Sequence, residues 1–254
     1  MADFQFQQLT IETDFTKTHK LFYGDPGTGK TVFATIMNDA RGMPPYFIFT
    51  EKGNGVTRPW GKQVLSWSGF LKLRDILVNQ KKVEMQRRFG CLVFDVIGDF
   101  EDMAAKAVSV KANVATISDL AHGKGYVLHE EAIKEGFLPL MALMPCVFIA
   151  HTKDRQVQSK GEPVTIITSN LGKRAFNFLN GKVDFICYFQ APTKSEHYEI
   201  TMRPDTGRIA KSRYPQMNRS FRNIKDHPEI AWAEMQRAFH QPEVGVDDGT
   251  RSST

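Results

Sequence analysis

The chain has 254 residues, of which 41% are hydrophobic and 24% charged, with a net charge of +5 and three cysteines. That composition excludes fibrous and intrinsically disordered classes, and the length suits one large α/β core. The longest uncharged apolar stretch, Phe137 to Ala150, is too short to span a bilayer and contains two prolines. No basic leader with a cleavage pattern opens the chain, so the expected location is the cytoplasm, with no membrane partner.

The first strong signal is His19-Lys20-Leu21-Phe22-Tyr23, short and apolar like a buried strand. It runs directly into Gly24-Asp25-Pro26-Gly27-Thr28-Gly29-Lys30-Thr31, a complete match to the phosphate-binding pattern G-x-x-x-x-G-K-[ST]. Its glycines let backbone N–H groups turn inward around a polyphosphate, Lys30 reaches β and γ oxygens, and the Thr31 hydroxyl suits Mg²⁺. Val32 to Met37 continues as a helix whose amino end faces the anion. Residues 24–32 are therefore the expected site for ATP with Mg²⁺.

Further strand-like runs follow at Tyr46–Thr50, Val64–Trp67, Cys91–Asp95, Cys146–His151 and Val183–Phe189, with helical spacing over Phe70–Arg88, Asp99–Val110 and Leu128–Met144. Several runs are continuously apolar, as parallel strands covered on both faces require. This alternation predicts an α/β fold with a mostly parallel, doubly wound sheet whose ligand lies beyond the carboxyl ends of the strands. Cys91, Cys146 and Cys187 each sit inside such a run and read as small core residues.

Three of these runs end in polar residues. Leu92-Val93-Phe94-Asp95 has the form of a strand adjacent to the phosphate-loop strand, ending in a carboxylate for the metal; the other reading of Asp95, like that of Asp99, is a helix cap. Glu51 follows Tyr46–Thr50, a strand expected beside the phosphate-loop strand, and is placed either to orient and deprotonate an attacking water or as a surface carboxylate paired with Lys52. His151 ends the run from Cys146 and reads as a γ-phosphate sensor or as a hydrogen-bonded structural residue.

The last third differs. Arg155–Thr168 shows β-like pieces around Lys160-Gly161-Glu162-Pro163, then a helical Leu171–Leu179 in which Phe176 and Phe178 have core spacing. Tyr198–Arg203 and Ile209–Tyr214 around Pro204-Asp205-Thr206-Gly207 predict an antiparallel hairpin at the sheet edge, and His227–Phe239 a closing helix. Residues 1–240 are expected to form a single domain and 241–254 a disordered tail. Positive charge gathers in 152–182 (Lys153, Arg155, Lys160, Lys173, Arg174, Lys182) and again in 193–225, leaving the remainder net acidic. Segregation of this kind serves a polyanion-binding face or a merely solvated one.

The order of the phosphate loop, Thr50-Glu51-Lys52-Gly53, the strand ending in Asp95, and Val147-Phe148-Ile149-Ala150-His151-Thr152 resembles the RecA-like ATPases of phages, including the Sak-type single-strand annealing and recombination proteins. The resemblance spans residues 18–215 or so. It implies that Lys30 and Thr31 hold phosphate and Mg²⁺, that Asp95 supports the metal, and that Glu51 activates water. His151 takes the place of a γ-phosphate sensor that is usually Gln in the bacterial recombinase. Lys211 and Arg213 are similar to basic residues that RecA-like subunits insert into a neighbour's site, which implies a homo-oligomeric ring or filament; an exposed edge strand with alternating charges has the same pattern. DNA-binding loops are implied at Lys111–Tyr126 and in the basic segment after His151, with Lys153, Arg155, Lys160, Lys173 and Arg174 as candidate contacts to single-stranded DNA and a single-strand-binding protein as a further partner. If phage-encoded, the protein acts in the bacterial host's cytoplasm. Two other classes fit the phosphate loop: a kinase or phosphotransferase, and a nucleotide-dependent loader or assembly factor with little turnover.

Overall fold

In the computed structural model, residues 12, 14–51, 59–159, 162–192, 198–223 and 227–241 are described. A 3₁₀ turn, Phe15–Lys17, leads into β1 (Lys20–Gly24) and the short α1 (Lys30–Thr35). Then come β2 (Tyr46–Phe49), β3 (Gly61–Gln63), α2 (Trp67–Asp75), a π turn at Ile76–Gln80, α3 (Lys82–Arg88), β4 (Leu92–Asp95) and α4 (Ile97–Lys111). The chain continues through α5 (Lys124–Leu143), β5 (Cys146–Ala150), β6 (Thr152–Ser159), β7 (Glu162–Ser169), α6 (Lys173–Lys182) and β8 (Phe185–Gln190). It closes with β9 (Tyr198–Thr201), β10 (Lys211–Ser212), β11 (Ser220–Asn223) and α7 (Pro228–His240).

These elements build the α/β architecture that the alternating pattern predicts. The principal sheet is nine-stranded in the order β11-β9-β8-β1-β5-β4-β2-β3, with β10 pairing β8 off that path. From β8 to β3 every ladder is parallel, while β9 and β10 run antiparallel to β8. Two strand placements differ from the sequence expectation. β5 lies between β1 and β4, so neither the strand ending in Asp95 nor the strand leading to Glu51 is adjacent to β1. The edge is antiparallel, yet Tyr198–Arg203 and Ile209–Tyr214 do not pair with each other: β9 pairs the carboxyl half of β8 and β11, whereas β10 pairs Phe185 and Ile186 at the start of β8. Both segments meet the free edge of a six-residue strand, and it accommodates them end to end.

Helix boundaries also moved where local chemistry outweighs the apolar run. Val64–Trp67 is not a strand, because the Ser66 hydroxyl accepts from Gly69 N at 3.1 Å and caps α2, drawing Trp67 into the helix. The single helix expected over Phe70–Arg88 is two helices joined by the π turn. The loop expected over Lys111–Tyr126 is shortened by α4 and α5 and holds two 3₁₀ turns. The β-like pieces after His151 form an antiparallel hairpin, β6–β7, as a separate sheet.

The sheet is apolar on both faces. Leu21, Tyr23, Ile48, Phe94, Phe148 and Ile186 point to the side covered by α2, α4, α5 and α6, where Phe70, Phe100 and Phe137 meet Phe94 at centroid separations of 5.1–6.3 Å. Phe22, Phe47, Val93, Val147, Ile149 and Cys187 point to the other side, packing with Phe33 of α1 and Trp232 of α7. Cys91, Cys146 and Cys187 are free and buried. Phe178 is buried and Phe176 packs against the same core. Strand alternation then fixes the polar residues at the carboxyl ends. Glu51 has the parity of Phe47 and Phe49, Asp95 that of Val93, and His151 that of Val147 and Ile149, so all three fall on the α1 side.

Candidate nucleotide-binding site

The phosphate loop leaves β1 through Gly24, where a Cβ would lie 2.3 Å from the Phe189 carbonyl of β8, so only glycine lets the strand turn there. Gly27 and Gly29 have φ of 81° and 86°, the left-handed conformation that curls the loop's N–H groups inward. The Thr28 hydroxyl and N–H both bond the Asp25 carbonyl, at 2.8 and 3.3 Å. Asp25 and Pro26 are exposed, and Val32 is half-buried in α1.

Lys30 is 5% exposed, and its ammonium donates to the carbonyls of Gly24 at 2.7 Å and Asp25 at 2.9 Å. Burial lowers its pKa to about 8, against the opposing pull of the Asp95 and Asp25 carboxylates. Thr31 Oγ1 donates to Asp95 Oδ2 at 2.8 Å, joining the first turn of α1 to the end of β4 across the intervening strand. Burial raises the Asp95 carboxyl above the ordinary carboxylate range, the Thr31 bond and Lys30 partly reverse this, and Glu51 pushes it up again. The His151 ring acts on the same carboxylate. Asp95 is thus the point at which Lys30, Thr31, Glu51 and His151 meet electrostatically.

Asp95 is not the cap of α4; that position is Val96, which makes no side-chain cap bond. Glu51 is exposed. Lys52, its alternative partner, lies outside the described residues. His151 Nδ1 is buried and finds no hydrogen-bond partner among the described residues, while the His151 carbonyl accepts from Asn170 N at 2.8 Å. Thr152, the first residue of β6, donates to the Asp25 carboxylate of the phosphate loop. The hairpin is therefore attached directly to the loop, through a residue the sequence marks only by its place after His151.

The basic candidates fall into three groups. Arg155 and Lys173 are exposed, at β6 and at the start of α6. Lys153 donates to the Leu171 carbonyl and Arg174 pairs with Glu130 at 2.9 Å, so both are already engaged within the chain. Lys160 lies outside the described residues. Lys211 donates to the carbonyls of Asn180 and Val183, the latter at 2.9 Å, and Arg213 to the Gly181 carbonyl at 2.9 Å, with Asp184 at 3.3 Å. Both satisfy the last carbonyls of α6. β10 pairs the first residues of β8, whereas Gly24 pairs Phe189, so Lys211 and Arg213 stand at the opposite end of the sheet from their own phosphate loop.

Two further residues belong to the carboxyl end of the sheet, beside Asp95. Thr50 Oγ1 donates to Asp99 Oδ2 at 2.5 Å, directly before Glu51. Among the described residues no helix is long and apolar enough to cross a membrane.

A solved structure described as the RadB recombinase is similar at 14% identity with a TM-score of 0.42, covering 82% of this chain and 88% of that one. No curated protein matches. A family model described as an AAA domain matches residues 16–214, which takes in the phosphate loop, Glu51, Asp95, His151 and the basic edge strand. The chain belongs to that family, the AAA domains.

Proposed function

We propose that this protein is a Mg²⁺-dependent, RecA-like ATPase whose nucleotide state governs binding of single-stranded DNA in recombination, annealing or repair of the phage type. The observation that carries the reading is the 2.8 Å bond from Thr31 Oγ1 to Asp95 Oδ2, with Lys30, Glu51 and His151 acting on the same carboxylate. A hydroxyl and a carboxylate side by side are hard oxygen donors, and they suit a small divalent cation that keeps several of its waters. Thr31 and Asp95 would hold such a cation, and when bound it would supply positive charge against the phosphates.

In this mechanism Lys30 exchanges the Gly24 and Asp25 carbonyls for phosphate oxygens, and the inward N–H groups of residues 27–31 orient the triphosphate. Glu51 accepts a proton from a water aligned with the γ-phosphorus. The new P–O bond forms as the bond to the bridging β–γ oxygen breaks, giving ADP and inorganic phosphate. His151 and Thr152 pass the change to the β6–β7 hairpin. Support for DNA comes from the sequence resemblance and from exposed Arg155 and Lys173 beside that hairpin. In an assembly, Arg213, whose side chain is 47% exposed, is the more accessible of the pair to a neighbour's phosphates, although it too bonds the end of α6.

The test is ATP hydrolysis and DNA binding by the purified full chain. Lys30→Ala is expected to abolish release of phosphate, and Glu51→Gln to lower kcat by about 10²-fold or more while ATP still binds. Affinity for a fluorescent oligodeoxythymidylate at low salt is expected to be greater with a non-hydrolysable ATP analogue than with ADP and to fall as salt rises. Undiminished hydrolysis in Lys30→Ala would sink the ATPase reading; equal DNA affinity in both nucleotide states would sink the coupling.

A further inference from the structure

Four hydrogen bonds converge on Thr50. The β2–β4 ladder ends at the pair Phe49 and Asp95, and Thr50 N donates once more to the Asp95 carbonyl at 3.0 Å. The Thr50 hydroxyl donates to Asp99 Oδ2 at 2.5 Å and accepts a longer bond from Val96 N at 3.4 Å. On the other side, Gln63 Nε2 of β3 donates to the Thr50 carbonyl at 3.2 Å. Thr50 is 8% exposed, whereas the next residue, Glu51, is open to solvent.

Asp99 could have served its own helix, since it lies in the first turn of α4 and Val96 supplies no side-chain cap. One of its oxygens reaches across to β2 instead. Asp99 and Asp95 leave the same β4–α4 corner, one holding Thr50 and the other Thr31. The corner therefore sets the residue before Glu51 and the proposed metal-binding pair from a single piece of backbone. We propose that Thr50 and Asp99 are positioning residues for Glu51, fixing its carboxylate relative to the Thr31–Asp95 pair. The inference rests on the reading of Glu51 as the group that activates water.

A displacement of about 1 Å in a group that aligns a nucleophile costs on the order of 10²-fold in rate. Thr50→Val keeps the side-chain shape and removes the hydroxyl, and Asp99→Ala removes its partner. Each is expected to lower kcat for ATP by about 10- to 100-fold, with KM and affinity for a fluorescent ADP within about twofold of wild type, because neither touches the phosphate loop. Thr50→Ser and Asp99→Asn, which retain the hydroxyl and an acceptor oxygen, are expected to stay within about threefold of wild type. Thr50→Val added to Glu51→Gln is expected to slow turnover no further, since the hydroxyl acts through that carboxylate.

Unchanged kcat in Thr50→Val and Asp99→Ala overturns the inference, as does loss of ADP affinity in step with kcat or a double variant slower than Glu51→Gln by the full Thr50→Val factor. Should Thr50→Val melt out below the assay temperature, the Asp99→Ala and Asp99→Asn pair decides by the same criteria. If Glu51→Gln turns over like wild type, the role of Glu51 falls and this inference with it. If Glu51→Gln is inactive while Thr50→Val and Asp99→Ala are not, only the positioning role falls.

Discussion

Two buried lysines bracket β1, and they carry the same chemistry to different ends. Lys20, at the amino end, is fully buried, and its ammonium donates to the Phe15 carbonyl at 2.7 Å, the Thr18 carbonyl at 3.0 Å and the Thr18 hydroxyl at 2.7 Å, with the Phe15 ring 4.4 Å away. Lys30, beyond the carboxyl end, donates to two loop carbonyls and faces the Asp95 and Asp25 carboxylates. Burial lowers both to about 8. Neither exposure nor pKa tells them apart. Lys20 closes a 3₁₀ turn at the amino end of the sheet, with the Asp184 and Asp14 carboxylates acting on it electrostatically; Lys30 rests on two loop carbonyls beside the Thr31–Asp95 pair. A perturbed lysine is thus a functional candidate only when its neighbours provide somewhere else for the charge to go.

The comparison breaks most sharply under matched substitutions. Lys30→Met is expected to cut ATP turnover by about 10³-fold or more with little change in melting temperature. Lys20→Met is expected to do the reverse, costing about 1–3 kcal/mol of stability through the loss of three hydrogen bonds from one buried donor, while kcat per folded molecule is unchanged. Activity assays alongside chemical denaturation check both; a Lys20→Met protein that is stable but inactive would refute the division.

The pH dependence sharpens it. A lysine whose folded pKa lies below its unfolded value of about 10.4 is protonated in the unfolded chain and neutral in the fold between those limits, so stability rises with pH from about 8 to about 10.4. Lys20→Met and Lys30→Met should each flatten part of that rise. Bound triphosphate keeps Lys30 charged, so only Lys30 links pH to ligand. Affinity for the triphosphate is therefore expected to fall above pH 8 by up to about tenfold per unit, as titration calorimetry would show, and to do so equally in Lys20→Met.

Smaller effects test the neighbours. The Asp95 carboxyl is raised by burial, so the fold binds its proton more tightly than the unfolded chain and its charge opposes stability at neutral pH. Asp95→Asn should raise the melting temperature of the ligand-free protein while removing Mg²⁺-dependent turnover. At the amino end, Arg213→Ala removes a half-exposed pair with Asp184, and its stability cost is expected to be about 1 kcal/mol or less. Any large loss of turnover in that variant, restored by mixing with Lys30→Met subunits, would reveal action on a neighbour's site.

Much of the fold was legible because parallel strands buried on both faces leave continuous apolar runs. Leu21–Tyr23, Tyr46–Thr50, Cys91–Asp95, Cys146–His151 and Val183–Phe189 all correspond to strands of the sheet, within a residue or two at each end. Strand order was not legible. Periodicity does not record which strand lies beside which, so the insertion of β5 between β1 and β4 emerged only in the fold. The edge pairing failed for a related reason: a turn signal at Pro204–Gly207 marks a reversal, but the exposed edge of β8 competed for both segments.

The sequence alone determined the phosphate loop, because the conformation it needs is local: glycines at fixed spacing, a preceding strand, a following helix and a lysine. It also named the polar residues that end the strands. Tertiary structure decided which of them meet, since Thr31 and Asp95, or Thr50 and Asp99, are joined by bonds between segments tens of residues apart that no local pattern encodes. It likewise decided the employment of the basic residues. A lysine's letter is the same whether its ammonium rests on the carbonyls of a glycine-rich loop, as at Lys30, or satisfies the end of a helix, as at Lys211, and only the groups folded around it make the difference.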